Sequence, residues 1–562
     1  MLKILNSLKK LAPLPLKKKL ANNVKIQKFR YWLGYAFYMK GKLNSQLSPN
    51  FDIKDCINSG NQVRVLLPLI ETNHYQYYHL LALAKALEIR GAQVKVLICG
   101  QLLDGCELKS IRNEGQEDPC WKCRFNENNI VPLFDFNIIN MANIFNESEV
   151  HAFNTESQNL ALNDSMDIVK HGVNLKQSID DSVVRYFYGA VSNDKKEVFR
   201  VRADHTKTAL MSIAVAKKID QDWSPQIVLS NMPCYSAWEA YYRYFDINGK
   251  RFRQIAMSQF EFNSVVYNSF ELFPADQRFR KYLRTRERNE LTAIERNKLY
   301  EFISVRHSGN ANIFKNDGYF RQSNSLSAVE DKLHIDKSKR NIFLFSNLYW
   351  DVGLSDRKGL FDGVLDWVIQ TIEIVKLAPH CHLYIKPHPA EVFGSAGSLK
   401  GVSEIIKEKY PESLNNVTII EPDWKLVTYD LFPHIDLGVI FTGTLGLEMA
   451  LSDIAVVSTG TTSHKGLGIA AEPESIESYR AMLLGEGKLP KVDKDYLELF
   501  AYFYFIRTLI PWTLTKQAYA DNFDGFAFES LDDLKPGKDP YLDHLCNCIL
   551  DPINTVPEAW LE

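Results

Sequence analysis

A chain of 562 residues, 46% hydrophobic and 24% charged, exceeds what one ordinary core supports and has the composition of a globular protein of two or three domains. Its net charge of −2 is unevenly spread: residues 1–42 carry ten Lys, one Arg and no acidic residue, a segment charge of +11, while the remaining 55 basic and 68 acidic residues leave −13. This acidic body disfavours a general nucleic-acid binder, the lack of an 18-residue apolar run disfavours a membrane-spanning helix, and nine scattered cysteines disfavour a disulfide framework.

In chain order, residues 1–42 mix their lysines with Leu, Ile, Trp, Tyr and Phe, a composition suited to the surface of an anionic bilayer. The opening Met1-Leu2-Lys3-Ile4-Leu5 is a poor signal peptide because lysines interrupt its apolar stretch. The expected location is therefore cytoplasmic, peripheral at the inner membrane. Val63–Ile70 then reads as a buried strand, His79–Arg90 as a helix closed by Gly91, and Val94–Cys99 as a second strand, a βαβ start. Residues 125–220 are polar and helical in pattern, Gln226–Ser230 and Arg253–Ser258 read as further strands around a helix at Ala237–Tyr244, and Arg280–Lys298 reads as a solvated helix face. The pattern restarts with strand Asn341–Ser346, a helix near Leu360–Leu377, and strands at Cys381–Lys386, Val417–Ile420, Leu437–Phe441 and Ala455–Ser458. The aromatic run after Lys491 reads as a helix packing back across the domains. The expected fold class is α/β, with a basic arm at 1–42, a first Rossmann-like domain with a helical insertion at 43–337, a second at 338–485, and a helical tail at 486–562.

Ligands of open parallel sheets bind beyond the carboxyl ends of the strands, and two polar clusters follow strands of the second domain. In Thr442-Gly443-Thr444-Leu445-Gly446-Leu447-Glu448, the hydroxyls and free N–H groups at a helix start suit a diphosphate, and Glu448 suits ribose hydroxyls. The alternative is that Thr442 or Thr444 caps the helix and Glu448 offsets its dipole. In Lys386-Pro387-His388-Pro389, two prolines hold His388 on extended backbone, where an imidazole can donate to phosphate or protonate a leaving group, with Lys386 a secondary phosphate contact. A structural turn is the competing reading. Glu71 and His74 follow the first strand and are candidates for the base that deprotonates an acceptor hydroxyl, against a plain helix cap at Thr72 or Asn73. Arg306 is a phosphate-contact candidate in what reads as a surface loop, and His464 and Lys465 could close over the donor. Cys99, Cys106, Cys120 and Cys123 could form a structural zinc site, although their spacing matches no standard ribbon. No P-loop, G-x-G-x-x-G, zinc-protease helix or nucleophile elbow is present, which disfavours kinase, dehydrogenase and hydrolase readings.

Phe345–Asp351, the helix carrying Trp367, Lys386–Glu391, Thr442–Glu448 and His464-Lys465-Gly466-Leu467-Gly468 together resemble bacterial capsule and surface-polysaccharide glycosyltransferases. That group has the GT-B fold, two Rossmann-like domains facing a cleft, and includes relatives of the Kdo and sialic acid transferases that bind CMP-sugars through a His-Pro motif. The likeness covers about 340–485 well and the first βαβ unit loosely. It implies that His388 contacts donor phosphate, that Thr442, Gly443 and Thr444 line the phosphate site, and that Glu448 holds the ribose or nucleoside. It also implies a nucleotide-sugar co-substrate, no required cofactor or metal, and a glycan or lipid-linked acceptor. Lys386 stands where the group often has Arg, and His464–Gly468 departs from its Tyr-Arg-Gly-Lys-Gly-like run. The function expected is transfer of sugar from a nucleotide-sugar onto a surface polysaccharide or lipid-linked glycan. The rivals are a nucleotide-sugar 2-epimerase, a CDP-glycerol-type polyol-phosphate transferase, and a non-catalytic polysaccharide-binding or assembly protein.

Overall fold

The computed structural model describes residues 24–35, 40–47, 62–71, 76–111, 118–231, 234–257, 264–269, 275–308, 325–351, 359–392, 397–412, 414–424, 426–516 and 526–550. The protein is α/β, built on two sheets with the same core topology.

The first sheet contains β1 (Arg64–Leu69), β2 (Gln93–Ile98), β3 (Asn137–Asn140), β6 (Ile227–Ser230), β7 (Arg251–Met257), β8 (Ser264–Ser269) and β14 (Leu509–Pro511). A separate small hairpin pairs β4 (Val169–Lys170) with β5 (Val173–Asn174). The sheet order is β14-β8-β7-β6-β1-β2-β3, parallel from β7 to β3. The second sheet contains β9 (Arg340–Phe345), β10 (Cys381–Lys386), β11 (Val417–Ile419), β12 (Leu437–Ile440) and β13 (Val456–Ser458), all parallel in the order β11-β10-β9-β12-β13. Counting the parallel strands from the start of each unit, both sheets run 3-2-1-4-5, the Rossmann order with a switch point beside the first strand. This is the paired arrangement of a GT-B fold.

Strands covered on both faces read as continuous apolar runs, and β1 shows why. Val65, Leu66, Leu67 and Leu69 are all buried, each side chain contributing about 1.5–3 kcal/mol relative to exposure. Pro68 lies in this central strand, but the ladder to β6 stops at Leu66, so its missing N–H breaks no pair on that side. In the second unit the Val364–Val375 helix covers the sheet with Trp367, whose indole N–H donates to Tyr479 Oη at 3.0 Å, and Thr371 Oγ1 lies 2.7 Å from the same oxygen. A buried polar triad in which each group finds a partner fixes how helix and sheet meet.

Several expected boundaries differ. Arg280–Lys298 is largely exposed but is not one helix: it runs from within the Ala275–Thr285 helix into the Ala293–His307 helix, and Tyr282 and Leu291 within it, like Phe279 and Leu299 beside it, are buried. These residues, with Val329 and Leu333, join the apolar cluster of Phe343 and Tyr384 in the second sheet. The segment assigned to the first domain up to 337 thus contributes to the second unit's core, because its charges hide a wide-spaced apolar stripe. The tail is not uniformly helical either. The Lys494–Tyr502 helix packs on the second unit, a π-helical turn follows at Phe503–Arg507, and β14 then pairs antiparallel with β8 at the edge of the first sheet. An edge position tolerates Pro511, which a helix interior would not. The Pro540–Leu550 helix finally joins the first unit's core through Leu542, Leu545 and Ile549.

Residues 24–34 of the basic arm form a helix docked on the first unit. Tyr31 Oη donates to Asn126 Oδ1 at 2.8 Å, Tyr35 Oη to the Asn129 carbonyl at 3.1 Å, and Tyr31 packs edge-on against Trp121 and Phe125. Leu33 is buried, whereas Phe29 and Trp32 are 50% and 53% exposed and stack on one another.

Candidate active site

The register of the second sheet builds one side of the site. Lys386 pairs with Phe345, Phe345 with Ile440, and Ile440 with Ser458, so these residues form a row at the carboxyl edge. The next residues outward carry the polar groups: His388, Ser346 and Asn347, Thr442, and the turn leading to Thr462 and His464. Ser346 N–H donates to the Lys386 carbonyl at 3.1 Å, Asn347 Nδ2 to the Thr442 carbonyl at 3.4 Å, and Thr442 Oγ1 to the Thr461 carbonyl at 2.8 Å. His464 packs over Gly446, where an added Cβ would lie 3.4 Å from its ring. The cluster is therefore contiguous.

Its polar atoms are unusually short of partners. Ser346 Oγ, Asn347 Oδ1, Ser458 Oγ, Thr462 Oγ1 and both ring nitrogens of His464 are buried and have no hydrogen-bond partner among the described residues. Lys386 is buried, its ammonium donates among the described residues to the Leu426 carbonyl alone, at 3.3 Å, and burial pulls its pKa down to about 8. Each such group costs about 1–3 kcal/mol, and more for a charge. A polar, anionic ligand at this sheet edge would supply the missing partners.

His388 Nδ1 accepts the Ala390 N–H at 3.2 Å, so Nδ1 carries no proton and Nε2–H is the free donor. Burial pushes its pKa down to about 4, with Asp351 opposing and Lys386 reinforcing. At neutral pH it is thus an uncharged hydrogen-bond donor rather than an acid ready to protonate a leaving group. Thr444 Oγ1 donates to Glu448 Oε1 at 3.1 Å and does not cap the helix that follows, while Gly443 adopts φ +113, a backbone setting that favours glycine. Thr442 and Thr444 thus direct their hydroxyl hydrogens into the protein, while the Ser346, Ser458 and Thr462 hydroxyls and the His464 nitrogens stay without a partner among the described residues. Lys465 is exposed beside His464.

Two expectations for this region change. Arg306 is not in a surface loop: it lies in the last turn of the Ala293–His307 helix and binds Glu448, Nη2 to Oε1 at 2.9 Å. Glu448, 1% exposed, also accepts Tyr429 Oη at 2.6 Å. With Arg306, Tyr429 and Thr444 around it, its carboxylate is engaged within the protein rather than waiting for a ribose, and Arg306 is engaged rather than free for phosphate. Pairing is the physical reason, since neither charge tolerates burial alone.

The first unit brings the other side. Glu71 follows β1 and its Oε1 accepts the Glu107 N–H at 2.9 Å. Glu107 Oε2 accepts Arg185 Nε at 3.3 Å, and Arg185 Nη1 lies 3.8 Å from Asp351 Oδ1 in the second unit. Burial raises the pKa of Glu71 and of Glu107; the Glu71 carboxyl raises that of Glu107 further, the Glu107 backbone N–H holds that of Glu71 back, and Arg185 opposes both rises. The guanidinium also stacks over Trp350 at 4.7 Å and Tyr188 at 5.2 Å. Gly189, at φ +85, is where Tyr349 comes so near that an added Cβ would lie 2.4 Å from its hydroxyl. The carboxyl edge of the first sheet is thereby tied to the loop after β9. Glu107, Arg185 and Asp351 had no assigned role in the sequence, because they come from three distant segments. His74 lies outside the described residues. Cys99, Cys106, Cys120 and Cys123 do not converge into a metal-holding group; among the described residues no cluster of His, Cys, Asp and Glu does.

No protein-family model matches the chain, and no curated protein does. Among solved structures it is similar to a beta Kdo 2,4 transferase from Thermosulfurimonas dismutans, with 14% identity, 56% of this chain and 88% of that one covered, and a TM-score of 0.34. It is also similar to a UDP-GlcNAc 2-epimerase from Neisseria meningitidis, with 11% identity, 80% and 99% covered, and a TM-score of 0.26. A glycosyltransferase from Rickettsia africae matches at 12% identity, 88% and 100% covered, and a TM-score of 0.25. Likenesses at this level do not establish a family, and the architecture rests on the strand orders above.

Proposed function

We propose that the protein is a glycosyltransferase that moves a sugar from a nucleotide-sugar held at the second sheet to a glycan or lipid-linked acceptor held at the first, in surface-polysaccharide synthesis. The observation that carries this reading is the row of buried Lys386, half-buried His388 and buried His464, short of partners among the described residues, at the carboxyl edge of a Rossmann-ordered sheet. A phosphate there would gain the Lys386 ammonium and the His388 Nε2–H, the charge and the donor that the leaving group requires as its bond to the sugar breaks. No cofactor enters the scheme, since these groups offset the developing charge. Glu71 stands opposite as the acceptor-hydroxyl base.

The test is thermal denaturation with CMP, UDP, GDP and CDP and their sugar conjugates. One nucleotide family at about 100 times its dissociation constant should stabilise the fold by about 2.7 kcal/mol. No shift with any of them would overturn the donor site. With that donor in hand, His388→Ala should lower acceptor-dependent nucleotide release at least about tenfold, roughly 1.4 kcal/mol in barrier. Release without an acceptor would point to an epimerase, and product mass separates sugar from polyol-phosphate transfer.

The same proposal places the protein at an anionic membrane through residues 1–42. Among the described residues no helix is long and apolar enough to cross a membrane, and the support is the exposed Phe29–Trp32 pair on a docked helix of a basic segment. Deleting the whole segment would uncover Trp121 and Phe125, so the cleaner change is Phe29→Ser with Trp32→Ser. Co-sedimentation with phosphatidylglycerol-containing vesicles should fall several-fold with the melting temperature unchanged. Undiminished sedimentation would remove this helix as the anchor.

A further inference from the structure

A residue outside every expected motif joins the first-unit cluster. Tyr235 follows β6 at the same carboxyl edge as Glu71, and it is 2% exposed. Its hydroxyl has no hydrogen-bond partner among the described residues, yet it lies in the field of Arg185, Glu107 and Asp351. Its backbone sits at φ +73, a left-handed conformation that a tyrosine adopts at a cost. A fold that needed only an aromatic ring here would be better served by phenylalanine, which has no hydroxyl to desolvate. The carboxyls point the same way: Arg185 lies against both Glu107 and Asp351, and Glu71 bonds the Glu107 backbone beside them, so three acids gather around this guanidinium. The cluster is not sealed, since the side chains of Glu107 and Arg185 remain 15% and 24% exposed.

We propose that Glu71, Glu107, Arg185 and Tyr235 form the acceptor subsite, and that it takes an uncharged sugar hydroxyl and rejects acidic sugars. The inference rests on the transferase reading and deepens it. An alcohol can donate to an ionised carboxyl and accept from the Tyr235 phenol, which supplies the hydroxyl with its missing partner. A carboxylate-bearing sugar would bring another negative charge to a cluster already in excess of acid. In the transfer step the acceptor oxygen bonds to the anomeric carbon and its proton passes to the ionised member of the Glu71–Glu107 pair. The bond from that carbon to the phosphate oxygen breaks, and its electron pair leaves with the nucleotide. Tyr235 holds the acceptor oxygen in line and is a binding group rather than the base.

The experiment measures binding of methyl glucoside, methyl galactoside, methyl N-acetylglucosaminide and methyl glucuronide to the full chain by saturation-transfer NMR and calorimetry. Wild type, Tyr235→Phe and Glu107→Gln are compared, each with its melting temperature. The neutral glycosides should include at least one binder, and the glucuronide should bind at least tenfold more weakly. Tyr235→Phe should weaken the neutral binder at least tenfold while melting at the same or a higher temperature, and Glu107→Gln should narrow the gap to the glucuronide. Equal affinity for both glycoside classes, unchanged binding in Tyr235→Phe, or no neutral binder would each overturn the proposal. Nucleotide-induced stabilisation, read on the same samples, reports the donor site separately. If it is absent while glycoside binding still depends on Tyr235, the transferase reading fails and the sugar subsite stands.

Discussion

Arg306→Met should cost the fold about 3–5 kcal/mol, the penalty for leaving a buried ion without its partner. The pair joins the helix before the second sheet to the helix after β12, and the Glu448 side chain is 1% exposed against 18% for Arg306. The guanidinium also lies 5.7 Å from the ring centres of Phe302 and Phe505. Methionine keeps an apolar stem against those rings, so most of the loss reports the stranded carboxylate. Adding Glu448→Gln should restore much of the stability, because a neutral amide still bonds Tyr429 and Thr444 and no longer needs a cation. Urea unfolding measures this as a lower midpoint in the single variant, partly recovered in the double, at constant slope. A wild-type midpoint in Arg306→Met would show that Glu448 is not held by charge.

His464→Leu should do the reverse, raising stability by about 1–3 kcal/mol at pH 7 while abolishing the nucleotide-induced shift. Its imidazole is fully buried with neither nitrogen bonded, so the folded state bears a desolvation cost that leucine does not. Burial also holds its pKa down to about 4. The unfolded chain takes up a proton near pH 6.5 and the folded one does not until about pH 4, so the wild type loses about 1.4 kcal/mol per pH unit across that window from this residue. Above pH 6.5 the contribution is constant. The gap between variant and wild type should thus widen as pH falls from 6.5 towards 4 and stay level above it. A variant less stable than wild type at pH 7 would mean that the imidazole earns its place structurally, and retained nucleotide stabilisation would remove it from the donor site.

Both substitutions concern residues that the sequence singled out, but the sequence could not say what they do. Arg306 and Glu448 are 142 positions apart, and each alone reads as a free charge near a phosphate; together they satisfy one another. Thr442 and Thr444 read equally as phosphate ligands or helix caps, and the structure has them donating to the Thr461 carbonyl and Glu448. The cluster around Arg185 was only partly visible. Glu71 follows an obvious strand, whereas Glu107, Arg185, Tyr235 and Asp351 come from separate segments with no shared spacing.

The sequence by itself determined the parallel strands that matter most. β1, β2, β9, β10, β12 and β13 are short apolar runs ended by turn residues, and strands buried on both faces need that local pattern whatever surrounds them. It also put Lys386 and His388 at the carboxyl end of β10, the end at which open parallel sheets bind ligands. Only the tertiary structure decided β8 and β14, which pair through backbone groups at an edge, and the membership of Ala275–Leu333 in the second core. It alone decided which charges are paired and which polar atoms are stranded. Burial and ion pairing depend on distances through space between residues far apart in the chain, and no periodicity records them.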